Sequence, residues 1–266
     1  MARRIEIDGA QLAYEDTGGD GPAVLLVHGL GGSAYAWWAQ LAALGEAGYR
    51  AIAHDQRGAG RSGAAPGPYS VEGWAEDVVR LLDDLGIERA ALVGHSVGCM
   101  VAEHAALRLG ERAAALALCG GAARWPDAAR PVFEQRAELA RAGRMDEIAA
   151  AVAAAGLTED FRRDQPVVHG LMLDMIASND GDAYADAALA TRDGSMRELD
   201  RLPCPVLAFA GEHDPVTPLA LSREIADAAP RGEPAAVAGA AHWCMLERPR
   251  DVGELLAGFF ARTLAT

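Results

Sequence analysis

The sequence predicts an α/β protein in which a mostly parallel, eight-stranded sheet carries helices on both faces and a helical cap insertion. Three observations predict this class. Apolar runs of strand length alternate with segments of helical periodicity, one strand passes into a helix through a Gly-x-Ser-x-Gly turn, and the alternation lapses in a single long stretch. The chain of 266 residues is 51% hydrophobic and 23% charged, which suits one large domain with an insertion.

The N-terminal part of the chain supplies four of the predicted strands. Short strands are expected at about 3–7 and 11–16, and continuous apolar runs of the buried-strand type at about 23–28 and 50–54. Apolar residues recur at helical spacing after the third and fourth of these strands, which predicts helices at about 35–44 and 70–85. This order of elements requires a parallel sheet with crossover helices.

The turn at Gly94-His95-Ser96-Val97-Gly98 follows an apolar strand that begins at Ala90, and a helix then runs to about Leu109. In this context the turn lifts the serine to the top of the sheet in a strained conformation. Glycine is expected at both positions because strand and helix pass close together there and a Cβ would clash. The N-terminal N–H groups of the helix favour negative charge beside the serine. Ser96 is therefore a candidate nucleophile.

A strand at 114–119 is followed by a long stretch without strand signals. Helical segments are expected there at about 131–142, 145–155, 164–178 and 182–191. We interpret residues 122–197 as a helical cap inserted into a core formed by 1–121 and 198–266. The core then resumes with strands at 205–210 and 233–237 and helices at 217–229 and 247–264.

Three polar side chains stand just past the C-terminal ends of predicted strands, the edge at which open parallel sheets place their sites. They are Ser96, Asp214 and His242. Taken singly, each has an ordinary structural interpretation, as a turn serine, a turn-forming aspartate before Pro215 and a partly buried loop histidine. Together, in this order, they indicate a triad in which Ser96 attacks, His242 is the general base and Asp214 orients the imidazole.

The segment His28-Gly29-Leu30-Gly31 ends its strand at the same edge of the sheet. We expect the N–H groups of Leu30 and Val97 to bind the oxyanion of a tetrahedral intermediate, since glycines let the backbone approach a reacting carbonyl. The alternative is a glycine-rich turn without a ligand.

These motifs together resemble the α/β-hydrolase fold along essentially the whole chain; they are His28-Gly-Leu-Gly, Asp55-Gln-Arg-Gly-Ala-Gly-Arg-Ser62, Gly94-His-Ser-Val-Gly98, Gly211-Glu-His-Asp-Pro215 and Gly239-Ala-Ala-His242. The resemblance implies hydrolysis of a small carboxylic ester or lactone through an acyl-enzyme, with no cofactor. Related sequences also include hydrolases of carbon–carbon bonds in ring-cleavage products, cofactor-free perhydrolases and non-catalytic small-molecule receptors, which stay open as alternatives.

The insertion is similar to the short cap of the 3-oxoadipate enol-lactone hydrolase group. The similar stretches are Leu157-Thr-Glu-Asp-Phe, Gln165-Pro-Val-Val, Leu171-Met-Leu-Asp-Met-Ile and Ala183-Tyr-Ala-Asp-Ala-Ala. Two positions depart from that group, because Ala183 stands where it has Gly and Cys99 where many members have Gly. The likeness implies a carboxylate on the substrate, for which we expect Arg124, beside the first cap residues, to be the cation. Trp125 and Trp243 are the aromatic residues expected to line the pocket.

Composition restricts the partners of this chain. Acidic residues outnumber basic ones 38 to 24, and a net charge of −14 argues against nucleic acid or an anionic membrane surface. No apolar run approaches the roughly 18–20 residues that span a bilayer, and the first residues lack the apolar centre of a signal peptide. The four cysteines are scattered without metal-ligand spacing, which favours reduced thiols in the cytoplasm and no metal site. The oligomeric state stays open.

Overall fold

Within residues 3–7, 9–63, 65 and 69–264, which the computed structural model describes, the sheet has eight strands. They are β1 Arg3–Ile7, β2 Ala10–Asp16, β3 Ala23–Val27, β4 Arg50–His54, β5 Ala90–His95, β6 Ala113–Cys119, β7 Val206–Gly211 and β8 Gly232–Val237. Their spatial order is β1-β2-β4-β3-β5-β6-β7-β8. The pairs β1–β2 and β2–β4 are antiparallel, and every other neighbouring pair is parallel. The predicted mostly parallel sheet is confirmed.

Helices cover both faces of this sheet. In the described parts of the chain they are α1 Trp38–Glu46, α2 Val71–Asp84, α3 Val97–Leu109, α4 Arg130–Arg141, α5 Met145–Gly156, α6 Glu159–Asp164, α7 Pro166–Ala177, α8 Gly181–Asp193, α9 Leu219–Ala228, α10 Cys244–Glu247 and α11 Pro249–Thr263. One apolar core contains the inner faces of α2, α3 and α9, and the other contains those of α1 and α11. The sheet is thus buried on both sides, as parallel sheets require.

The central strands are the most deeply buried part of the sheet. Every residue of β5, β6 and β7 is buried, whereas β8 at the edge is largely half-buried or exposed. Continuous apolar sequence is needed where helices cover both faces, and this is why these strands read as unbroken apolar runs. The C-terminal ends of β5, β7 and β8 therefore carry the loops of Ser96, Asp214 and His242 on a rigid base.

Five helices, α4 to α8, lie between β6 and β7, all inside the described range 69–264. The sequence indicated four. The additional helix is α6, which begins where the Thr158 hydroxyl accepts the N–H of Phe161 and which ends before Pro166. Proline lacks the N–H that would continue α6 but suits the first turn of α7. In the cap, α4 packs against α8 and α5 packs against α7.

Two other predicted helices differ from the structure at their starts. The helix expected from residue 35 begins as a 3₁₀ turn, Ala34–Trp37, before α1. The closing helix expected from Glu247 is α11, which starts at Pro249 and is preceded by the short helix α10. None of the helices among the described residues combines the length and apolar character that crossing a membrane demands.

Candidate active site

Ser96 occupies a strained turn between β5 and α3. Its φ of 56° and ψ of −120° make it the one non-glycine residue with positive φ in the described part of the chain. Such a conformation costs roughly 1–3 kcal/mol and persists only where surrounding structure enforces it. Here the Ser96 N–H donates to the Cys119 carbonyl (2.9 Å), and the Ser96 carbonyl accepts from the Cys99 N–H (3.0 Å). The strand, the helix and β6 together hold this conformation.

The two glycines of the turn are required by close backbone contacts. A Cβ on Gly94 would lie 2.3 Å from the Gly98 carbonyl oxygen. A Cβ on Gly98 would lie 2.5 Å from the Val27 carbonyl oxygen and 2.7 Å from that of His28. Backbone atoms cannot move aside as a flexible side chain can, so either substitution forces β5, α3 or β3 apart.

Asp214 and His242 form a buried hydrogen-bonded pair. Asp214 Oδ2 lies 2.8 Å from His242 Nδ1, and both residues are about 5% exposed. Oδ1 accepts the N–H groups of Val216 (2.8 Å) and Thr217 (2.9 Å), and the Thr217 hydroxyl donates to Oδ2 (2.8 Å). Burial alone would raise the pKa of Asp214, but His242 and these hydrogen bonds outweigh it and hold the pKa below its usual value. Asp214 is therefore an ionised partner for the imidazole.

Sequence reasoning missed Thr217 and the role of His95. The Thr217 hydroxyl lies 3.1 Å from His242 Nδ1. Thr217 comes three residues after Asp214, and recognising an aspartate turn at Asp214 in the sequence would have pointed to it. His95 Nε2 lies 3.1 Å from the His242 carbonyl oxygen, and the ring packs 4.7 Å from that of Trp243. Burial and then the neighbouring His242 lower the pKa of His95 well below its usual value, so its imidazole is neutral.

Ser96 and His242 line one cavity beneath the cap, together with Leu30, His95, Trp125, Phe133, Arg136, Val152, Ala155, Gly156, Thr191, Val216 and Trp243. Within the described residues Ser96 Oγ has no hydrogen-bonding partner, and catalytic hydrogen bonds commonly tighten only when substrate binds. The cavity volume of about 50 Å³ is close to that of one or two water molecules, at about 30 Å³ each.

The proposed oxyanion donors stand beside Ser96. Leu30 lines the cavity, and Val97 is the first residue of α3. Neither N–H donates to another protein atom in the described residues, which leaves both free for a ligand. A Cβ on Gly29 would lie 3.0 Å from Ser96 Cβ, so this loop approaches Ser96 closely. The assignment of the two donors stays a prediction.

Both tryptophans that we expected in the pocket line the cavity. Trp125 and Trp243 are almost fully buried, and the indole nitrogen of each has no acceptor in the described residues. Trp125 also packs edge-on against Phe133 at the start of the cap, with ring centroids 5.3 Å apart. Two residues that line the cavity thus carry buried indole N–H groups without partners in the described part of the chain.

The placement expected for Arg124 is wrong. Arg124 is exposed and does not line the cavity, and its backbone forms an isolated bridge with Ser195. Side chains alternate in an extended segment, so burying Trp125 on the cavity side turns Arg124 toward solvent.

The cation at the cavity is Arg136 on α4, one helical turn after Phe133. It is half-buried and has no ion pair among the described residues. Burial raises the pKa of Tyr184, and the guanidinium of Arg136 opposes that rise. Tyr184 in turn stands against the loop of Leu30, because a Cβ on Gly31 would lie 2.9 Å from its ring. Arg136 is therefore a cap residue whose neighbour Tyr184 contacts the loop of Leu30.

The cysteines near the site do not form a metal centre. In the ranges that the structure describes, no group of three or more His, Cys, Asp or Glu residues is placed to hold a metal ion. Cys119 and Cys244 lie 3.3 Å apart as buried thiols, and Cys99 Sγ donates to the Gly94 carbonyl. Burial raises the pKa of Cys99 and Cys119, so these thiols behave as small apolar groups.

Comparison with known proteins agrees with this geometry. Residues 22–153 match a family model described as the alpha/beta hydrolase fold. The chain is 31% identical to 3-oxoadipate enol-lactonase 2 of Acinetobacter baylyi over 76% of its own length and 74% of the relative. A thermophilic esterase from Thermogutta terrifontis, solved with malate bound, superposes with a TM-score of 0.92 at 30% identity and covers 99% of this chain and 100% of its own. The enol-lactonase from Burkholderia xenovorans LB400 superposes with a TM-score of 0.92 at 31% identity, covering 97% and 100%. The chain belongs to the α/β-hydrolase family.

Proposed function

We propose that this protein is a serine hydrolase that cleaves a small carboxylic ester or lactone through an acyl-enzyme. One observation carries the proposal. Ser96 is held in a strained turn and lines the same cavity as His242, whose Nδ1 lies 2.8 Å from the buried Asp214 carboxylate. A strained serine next to an imidazole that a carboxylate orients is the arrangement that activates a hydroxyl for attack.

The reaction would proceed in two halves. Ser96 Oγ attacks the carbonyl carbon while its proton passes to His242 Nε2, and the N–H groups of Leu30 and Val97 stabilise the oxyanion. Collapse of the tetrahedral intermediate expels the alkoxide, which His242 protonates. Water then attacks the acyl-enzyme by the same route and releases the acid and the free serine. Asp214 stays ionised throughout, and none of these steps uses a cofactor or a metal.

We propose further that the substrate carries a carboxylate, bound by Arg136 in place of Arg124. Among the described residues, the cavity is lined by Arg136, which has no ion pair, and by Trp125 and Trp243, whose buried indole N–H groups have no acceptor, and no Asp or Glu lines it. An unpaired guanidinium at a cavity without acidic side chains suits a ligand that carries a carboxylate. The enol-lactonase relatives and the malate found in the related esterase are consistent with this class.

The remaining features of this proposal concern organisation and location. The five helices between β6 and β7 support a division into a core of residues 1–121 and 198–266 and a cap of 122–197. We propose the cytoplasm as the site of action, because the scattered, unpaired cysteines suit a reducing compartment. A small ester or lactone is the proposed partner.

A fluorophosphonate probe tests the proposed chemistry. The wild-type protein should be labelled stoichiometrically, and Ser96→Ala should abolish labelling and lower kcat at least about a thousandfold while the protein stays folded. Ser178→Ala, at an exposed serine of the cap, is the matched control and should label as the wild type does. Labelling that persists in Ser96→Ala would refute Ser96 as the nucleophile.

Assays with esters, a ring-cleavage product and peroxide-dependent halogenation then separate the hydrolase from the alternative activities. A labelled protein that is inactive on all esters would refute the substrate class.

A further inference from the structure

A buried carboxylate links the cap to the loop that carries His242. Glu247, the last residue of α10, is 4% exposed. Its Oε1 accepts hydrogen bonds from the N–H of Thr158 (2.8 Å) and from the Thr158 hydroxyl, which caps α6. Its Oε2 accepts the N–H of Ala241. A single side chain therefore bridges a cap helix and the residue directly before His242.

The environment of Glu247 contains donors but no cation. Both carboxylate oxygens accept hydrogen bonds, which is the pattern of an ionised carboxylate. No ion pair reaches it from the described residues, and the adjacent Arg248 donates instead to the carbonyl oxygens of Ala238 and Glu247. A buried carboxylate that is held only by hydrogen bonds is destabilised by the loss of any one of them, because the group left unpaired has lost its hydration without gaining a partner. Thr158 and Ala241 are consequently held at a fixed separation.

Two further hydrogen bonds fix the backbone beside His242. The Trp243 N–H donates to the carbonyl of Gly156 at the end of α5 (3.0 Å). His95 Nε2 lies 3.1 Å from the His242 carbonyl oxygen, and His95 directly precedes Ser96. The histidine loop is thus tied to the cap on one side and to the nucleophile turn on the other.

We infer that Glu247 is a positioning residue that couples the position of the cap helices to the position of His242. The inference rests on the proposed function, in which His242 is the general base. Glu247 touches neither the cavity nor the reacting atoms. It acts by fixing Ala241, so that movement of Thr158 with the cap is transmitted to the His242 backbone. Small displacements of a general base lower the rate of proton transfer without removing substrate contacts.

Glu247→Gln tests this role because it preserves volume and removes the charge. All three partners donate to the carboxylate, so the amide NH₂ faces a donor in either orientation. We expect kcat to fall roughly 10- to 100-fold with KM changed by less than about threefold, since a misplaced general base slows chemistry rather than binding. The low-field proton resonance of His242 Nδ1–H, shared with Asp214, should shift or broaden in the same variant.

Thr158→Val removes the hydroxyl hydrogen bond on the cap side of the link but keeps the bond from the Thr158 N–H, so it should lower kcat less than Glu247→Gln does. The double variant should lose no more activity than Glu247→Gln alone, because both substitutions break one connection. The matched control is Glu212→Gln, an exposed carboxylate that accepts the Gly239 N–H (3.0 Å) near the same loop and should leave kcat and the resonance unchanged.

Three results would overturn the inference. They are a kcat of Glu247→Gln within about twofold of the wild type, a loss that matches only the unfolded fraction measured by thermal melting, or additive effects of the two substitutions. The proposed function is judged separately by probe labelling of Ser96. If the wild type neither labels nor turns over esters, the resonance of His242 alone decides whether Glu247 positions it.

Discussion

Replacing Arg136 by glutamine should change the preference of this protein for charged over neutral substrates. The guanidinium is half-buried at the cavity and has no ion pair among the described residues, so the substitution breaks no salt bridge. Glutamine keeps most of the length and the polarity of the side chain. Its neutral amide cannot supply the charge that a substrate carboxylate would meet.

The size of the effect follows from the kind of contact. A hydrogen bond to a charged group contributes about 1.5–3 kcal/mol, and 1.4 kcal/mol corresponds to a tenfold change, which gives roughly 10- to 150-fold in kcat/KM. Because solvent reaches part of the Arg136 side chain, screening places the expected loss toward the lower end of this range. The loss should appear mainly in KM, since the carboxylate lies away from the reacting carbonyl.

A pair of 4-nitrophenyl esters of equal chain length provides the assay, one a glutarate half-ester with a free carboxylate and the other a neutral valerate. Arg136→Gln should raise KM for the half-ester and leave the valerate within about twofold, whereas the exposed Arg124→Gln should leave both unchanged. One ionic strength is used throughout, because the net charge of −14 repels anions at long range. Equal losses for the two esters would show that Arg136 is structural and would favour a neutral substrate.

Two further substitutions test the geometry of the site. Asp214→Asn should preserve the fold, as judged by circular dichroism, yet lower kcat by roughly 10⁴-fold because the amide favours the wrong imidazole tautomer; a near-native rate would mean that another carboxylate performs this role. Gly98→Ala should lower the free energy of unfolding by about 1–3 kcal/mol in denaturant titrations, because its Cβ would meet the Val27 and His28 carbonyl oxygens. An unchanged midpoint would contradict the close contact of α3 with β3.

The sheet could be predicted because its signals are local. The buried strands β5 and β7 are continuous apolar runs that lead into the loops of Ser96 and Asp214, and the loop of His242 follows the short edge strand β8. Parallel strands bring those ends to one edge, so the hydrogen bond between Asp214 and His242 is implied by strand order without any detail of packing.

The helices of the cap could be predicted from the sequence, but the side chains that they place at the cavity could not. Which side chain of α4 meets the cavity depends on how α4 packs against α8, and periodicity alone does not fix that rotation. Arg124 is adjacent to Trp125 in sequence, but neighbours in an extended segment face opposite ways, so that nearness does not place both at the cavity. Arg136 shares a face with Phe133 at a spacing of three, and this signal becomes informative only once Phe133 is known to face the cavity.

Glu247 shows a different limit of sequence reasoning. Its partners Thr158 and Ala241 are 89 and six residues away, and nothing in the local pattern marks a glutamate at the end of a short helix as buried. Charged residues are normally exposed, so the ordinary expectation for such a position is a solvated side chain. Only the folded chain shows that three donors converge on this carboxylate.

The groups proposed for catalysis and most of those proposed for recognition come from different parts of the molecule, and this separation agrees with a fold that resembles an esterase and an enol-lactonase equally well. The groups proposed for catalysis follow core strands, whose registers fix their positions. Of the groups proposed for recognition, Trp125 and Arg136 stand at the start of the cap, and Trp243 follows His242 in the core. Proteins that share this backbone keep the proposed catalytic groups in the same positions whatever their substrate is, because strand order fixes those positions. The proposed recognition groups change with single side-chain substitutions. The proposed discrimination between charged and neutral esters therefore depends on Arg136 rather than on the fold, and the paired-ester assay tests that proposal.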